Sequence, residues 1–262
     1  SDDISLGMKD YETNISDNLY KLNVKDIGFS SSGNSFFAKN IMLNPNMERA
    51  DYFAMKKKES VLSYTKVEKI IGSGVNIIEL FKARNILAQK FDIYNLQFQS
   101  YKNKQYPIDS VLKETHPLEY INKMKRTVKI DTIDIHNAYI SAEILGKNAK
   151  ETGFIDFTKV NAKITSLDND LKSVTKDQET KIKASGYLID KSLITASMHI
   201  PIASKNKEYV YGGSLDTFDV KDLNPYLENL FFVSIKDGIV NNINFTINLN
   251  EDYAMGKLNM DY

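Results

Sequence analysis

This chain contains no cysteine and no tryptophan, and only 5 of its 262 residues are proline. Without cysteine it forms no disulfide, no thiolate metal site and no cysteine nucleophile. Net charge is missing too: 34 basic residues balance 34 acidic ones, so no overall field draws the protein to nucleic acid or to an anionic surface. The run Lys56-Lys57-Lys58 is closed by Glu59 and reads as a solvated face. No apolar stretch approaches the ~20 residues that a membrane-spanning helix needs. Ser1-Asp2-Asp3 does not resemble a secretory signal, and a signal or anchor is expected to have been removed ahead of it.

Catalytic signatures are equally scarce. There is no nucleophile elbow, phosphate loop or dinucleotide fingerprint. The three histidines, His116, His136 and His199, lie in no metal-binding spacing, and neither a metal nor a cofactor is expected. Asp168-Asn169-Asp170 opens like a calcium loop but lacks the later Gly and Glu, so a hairpin turn is the reading. Gly72/Gly74 and Gly212/Gly213 are read as turns. The glycosylation sequons at Asn14 and Asn244 are read as chance, the second lying inside a strand. With no nucleophile, metal or acid–base pair to name, the chain is not expected to be an enzyme.

What the chain does have is 15 Tyr, 13 Phe and a recurring strand pattern. Apolar residues follow one another at steps of two, three and two in Leu22/Val24/Ile27/Phe29, Phe91/Ile93/Leu96/Phe98, Val128/Ile130/Ile133/Ile135 and Ile155/Phe157/Val160/Ala162. Gly213/Leu215/Phe218/Val220 is a weaker copy. A step of two keeps side chains on one face of a strand. The single step of three reads as a β-bulge, which restores the face and bends the strand.

Along the chain, strands are predicted on either side of the turn Ser30–Asn34, then at 60–71 and 86–100, with 46–59 a loop or possible helix. Short helices are predicted at 76–83, at 108–125 (broken at His116-Pro117), and after Asn224-Pro225, where Asn224 is read as the N-cap. From residue 126 onward the pattern is almost all strand. The fold class expected is mainly β with a few short helices: a long, curved, mostly antiparallel sheet around an apolar groove, continuous over 1–262 as one module. The cleanest alternation places Ile182 and Ala184, then Ile194, Ala196, Met198 and Ile200, then Ile243, Phe245, Ile247 and Leu249 on one side. These ten residues are the candidate site. Two readings stay open for them: the filled core of a β-sandwich that binds a protein partner along an exposed edge, or the lining of a groove.

Several of these segments resemble AsmA-like proteins, bacterial relatives of chorein-type bridge-like lipid transfer proteins. They are Tyr20–Phe29, Leu43-Asn44-Pro45, Val75–Phe81 leading into Phe91–Phe98, Val128–Ile140, and Gly153–Phe157. The closing set is Leu215–Val220, Leu223–Leu227, Ile235–Gly238 and Ala254-Met255-Gly256. The resemblance implies a sheet folded around a hydrophobic trough that takes phospholipid acyl chains. It implies a periplasmic location, an inner-membrane anchor outside this fragment of a longer protein, and partners in the cell envelope.

Overall fold

The computed structural model describes residues 5–31, 33–108, 124–170, 174–175, 177–202, 208–250 and 253–262. The predicted helix at 108–125 therefore lies almost wholly outside the described residues, and so does His116.

The chain is mainly β. Among the described residues fifteen strands run through it: β1 (Ser5–Ile15), β2 (Tyr20–Ser30), β3 (Ser35–Pro45), β4 (Val61–Ser73), β5 (Ile86–Tyr94), β6 (Gln97–Asn103), β7 (Val128–Leu145) and β8 (Thr152–Asp168) come first. β9 (Glu179–Leu188), β10 (Ser192–Pro201), β11 (Tyr209–Leu215), β12 (Phe218–Asp219), β13 (Ile239–Val240), β14 (Asn242–Leu249) and β15 (Ala254–Asp261) follow. Thirteen of them form one sheet in the order β1-β2-β3-β4-β5-β7-β8-β9-β10-β11-β14-β15. β5 and β6 are two halves of one broken strand, both lying between β4 and β7. Every pairing is antiparallel except that of β5 and β6 with β7. β12 and β13 make a separate two-stranded ribbon.

The steps of three in the sequence coincide with interruptions in strand pairing. Pairing passes over Lys25 against Asp10 and Asn40, and over Asn95 against Asn137, resuming in step on either side. The register shifts at Lys159, between Thr158 and Asn161. In β7 the skipped residue is Asp131, opposite Ser166, with a further shift between Ile135 and Ile140. The copy at Gly213–Val220 differs: the chain leaves the sheet after Leu215, and Phe218 joins the ribbon. Asparagine recurs at the interruptions because it tolerates left-handed backbone; Asn40, Asn95 and Asn137 have φ of 48°, 51° and 54°. The Asn137 amide donates to Asn95 Oδ1 at 2.8 Å, and its backbone N–H to Asn161 Oδ1 at 3.1 Å.

Three short helices are described. α1 (Arg49–Lys56) fills the stretch that composition left open. It forms because Leu62 and Tyr101 on the sheet need cover, which Tyr52 and Phe53 supply. Arg49 fixes it in place with two bonds to the Glu143 carboxylate, at 3.1 and 3.0 Å, and with its guanidinium 3.8 Å from the Tyr101 ring centre. α2 (Ile77–Lys82) is capped by Asn76, whose side chain accepts from the Glu79 N–H at 3.0 Å. α3 (Asn224–Phe231) begins differently from its reading. Asn224 is itself helical, and a 3-10 turn at Val220–Leu223 leads straight into it. The cap is Asp219, which accepts from the Lys221 N–H at 2.9 Å.

Two glycine readings also change. Gly72, Gly212 and Gly213 are in strands, not turns. A Cβ on Gly72 would meet the Phe91 ring at 2.6 Å, and one on Gly213 the Phe245 ring at 2.6 Å. Each glycine makes room for the aromatic ring of the neighbouring strand.

Apolar burial is thin for the chain's size. Among the described residues only 20 hydrophobic side chains are buried, while large apolar ones such as Leu6, Met8, Phe154, Met255 and Leu258 are exposed. Eleven of these buried residues fall into three small clusters. Among the described residues, the only strands outside the large sheet are those of the ribbon.

Candidate functional site: the apolar face of the sheet

Directly paired residues share a face, so the registers trace side chains across the sheet. One row runs Met8, Ile27, Ala38, Ile70, Ile93, Ile135, Ala162, Ala184, Ala196, Gly213, Phe245, Leu258. The next runs from Leu6 and Phe29 through Phe91, Ile133, Ile164, Ile182, Met198 and Tyr211 to Ile247. Apolar residues thus follow one another from the first strand of the sheet to the last.

The registers bring all ten candidate residues onto this face. Their surroundings differ. Ile200 is buried, 3% exposed. Ile194 and Ile243 pack against Leu188, Leu215, Phe218 and Val240, where the ribbon and the turn leading into α3 cover one end of the face. Ile182, Ala184, Met198, Phe245, Ile247 and Leu249 are half-buried, and Ala196 is exposed. Tyr211 lies in the same row as Met198. Burial, with Tyr209 adding a smaller effect, pushes its hydroxyl pKa up.

Composition did not reveal that β1 extends this face. Leu6, Met8, Tyr11, Thr13 and Ile15 carry the same steps of two, three and two, and their partners are Phe29, Ile27, Val24, Leu22 and Tyr20. Lys9, Asp10, Glu12 and Asn14, interspersed among them, and the polar Thr13 itself obscured it.

The opposite face is polar. A trough of about 660 Å³ crosses β7 to β11 there, lined by Asp134, His136, Lys163, Lys183, Thr195 and Ser197 among others. Ile164, Ile182 and Met198 do not line it, so it opens away from the apolar rows, over the backbone of Ala162, Ala184, Ala196 and Gly213. At its β7 end His136 stacks on Tyr94, with centroids 4.6 Å apart. His136 Nε2 donates to Asp92 at 2.8 Å, and Lys90 reaches Asp92 at 2.9 Å and Asp134 at 3.0 Å. His199 lies 3.3 Å from Glu179. No group of three metal-ligating side chains occurs among the described residues. Asp168 accepts from the Asp170 N–H at 2.9 Å and pairs with Lys129 at 3.2 Å.

For Asp92, burial is the largest single influence and opposes ionisation. The hydrogen bonds from His136 and Lys90, with their charges, outweigh it and hold the carboxyl below its ordinary value of 3.8. A carboxylate lowered on folding stabilises the protein above its unfolded pKa, and that stability is lost as pH falls through the folded value. Asp92→Asn is therefore expected to lower the urea midpoint at pH 7, by no more than the ~1 kcal/mol typical of partly exposed pairs. Below the folded pKa of Asp92 the two proteins should unfold alike. A difference that persists undiminished at pH 2 would mean that shape rather than charge is responsible.

A comparison with known protein families finds no match, and no curated protein matches the chain.

Proposed function

We propose that this protein is a non-enzymatic lipid-handling module that holds phospholipid acyl chains along its apolar sheet face, the sheet curving around them as a groove. The observation that carries the reading is the unbroken apolar face itself, half-buried over most of its length rather than sealed under a second layer. Twelve strand positions at ~4.8 Å span about 50 Å, ample for an alkyl tail. Leaving a bilayer costs a sixteen-carbon tail roughly 12 kcal/mol at about 0.8 kcal/mol per methylene, so a carrier must offer apolar surface on this scale. Met198 adds a side chain that adapts to the shape of its contacts. The headgroup stays in water, and little headgroup selectivity follows. The resemblance to AsmA-like proteins supports the same reading. It adds a periplasmic setting, attachment to the inner membrane through a segment beyond these residues, and envelope partners.

The test is to purify the protein without detergent and to extract it or weigh it by native mass spectrometry. Phospholipid is expected to co-purify, or to exchange in from vesicles. Protein that stays empty under both conditions would end the proposal. A second reading, a structural module that binds a protein partner, draws on β15, which is exposed along its whole length at one rim of the sheet. An exposed rim of this kind accepts an added strand. Lipid-free protein that captures an extended peptide would favour it.

A further inference from the structure

Beyond α3 the chain builds a feature that the acyl-chain face does not use. Phe231, Phe232 and Val233 follow one another in sequence and are 57%, 65% and 53% exposed. Phe232 closes the helix in the left-handed region, φ 57° and ψ 33°, with its N–H bonded to the Glu228 carbonyl. A bulky residue rarely adopts that conformation, and here it turns the chain so that three apolar side chains stand out at one tip. The tip is held firmly. Asn224 and Ile235 exchange two hydrogen bonds, the side-chain amide donating to the Ile235 carbonyl and the Ile235 N–H to Asn224 Oδ1, each at 2.9 Å. Ser234 Oγ donates to the Glu228 carboxylate at 2.6 Å. The Val220 N–H bonds the Gly238 carbonyl at 3.1 Å, closing the base of the loop. Asn229 ties the helix to β8 through the Thr152 carbonyl at 3.0 Å, and Leu230 sits against Gly146 and Gly153.

We infer that Phe231-Phe232-Val233 is a tip that inserts into a lipid bilayer and docks this end of the sheet on a membrane surface. Three consecutive side chains around a tight turn point in different directions. A fluid apolar phase accepts them from every side, whereas a protein groove reads one face. The loop that carries the tip returns to the start of α3 through the Asn224–Ile235 bonds, beside the turn whose Val220 and Leu223 pack on the covered end of the apolar face, so a bilayer held at the tip would lie next to the proposed track. Only that last link rests on the lipid-handling reading; the docking is read separately. Lys236 and Asp237 balance each other beside the tip, so neutral and anionic bilayers should bind alike.

The chain has no tryptophan, so a Phe232→Trp variant carries a single reporter at the tip. Its emission is expected to shift to the blue on adding phosphatidylcholine vesicles, while Tyr187→Trp on the polar face stays unchanged. In flotation, Phe231→Ser with Phe232→Ser should lower vesicle binding by about tenfold or more for each ring removed. The melting curve and the uptake of monomeric lysophosphatidylcholine should be unaltered. An unshifted Phe232→Trp spectrum, or flotation equal to that of the unaltered protein, overturns the inference. So does a vesicle-independent dimer that the double substitution abolishes, since a second copy would then cover the tip. Vesicle binding without lysolipid uptake would leave the tip standing and remove the groove.

Discussion

Met198→Asp is expected to yield a folded protein that no longer carries lipid, while Ile200→Asp, two residues along the same strand and on the same face, is expected not to fold stably. The two positions differ in burial. Met198 is half-buried opposite Ile182 and Tyr211, so a carboxylate there can reach water at a cost of about 1–2 kcal/mol, typical of partly exposed positions. In the path of an alkyl chain the same carboxylate would have to be stripped of water, which an acyl tail cannot repay. Ile200 is 3% exposed and pairs with Thr180, which is 1% exposed. An unpaired charge there costs more than about 4 kcal/mol. Lipid extraction reads the first effect and a denaturant melt the second. If Met198→Asp collapses as Ile200→Asp does, the face is an ordinary core; if it folds and still co-purifies with lipid, the groove lies elsewhere.

The second large effect is expected in the cluster under α1. Leu62 has no exposed surface and packs with Tyr52, Phe53 and Tyr101. Phe53 meets the Tyr101 ring edge-on at 5.5 Å, so the cluster has few ways to close over a lost side chain. Leu62→Ala should cost about 2–5 kcal/mol from the transferred methylenes and the cavity they leave. For a chain of this size that corresponds to a fall of roughly 6–12 °C in Tm for a mid-range loss. Val61 is the control: it is 47% exposed, and Val61→Ala should shift the midpoint by no more than about 0.5 kcal/mol. Equal shifts at the two positions would mean that α1 does not seal the cluster.

Strand periodicity was the legible part. Alternation in β9, β10 and β14 placed their apolar sets on one side because a period of two is a property of the backbone, and the registers put those sets on one face. What periodicity cannot give is the partner of each strand. Nothing in the segments themselves says that β5 and β6 lie parallel to β7, since parallel pairing is decided by the route of the connection. The start of α3 was misplaced because Asn224-Pro225 fits a capping pattern that Asp219 and the 3-10 turn had already satisfied. Gly72 and Gly213 were misread because a glycine that seats a ring from the next strand looks, in one dimension, like a glycine that turns the chain. For the site, side-chain polarity identified the face, but burial along it varies residue by residue. Ile200 and Ala196 are alike in sequence pattern and opposite in exposure, and the cover over Ile194 and Ile243 comes from the ribbon, distant along the chain from β10.

The many large apolar side chains that the folded chain leaves exposed among the described residues also bear on its calorimetry. Unfolding raises the heat capacity in proportion to newly wetted apolar area, and here many large apolar side chains are in water already. The denaturation heat capacity and the urea slope should both be small for 262 residues. The stability curve is correspondingly broad and shallow, so warming or cooling by tens of degrees changes the balance between folded and unfolded chain only slowly.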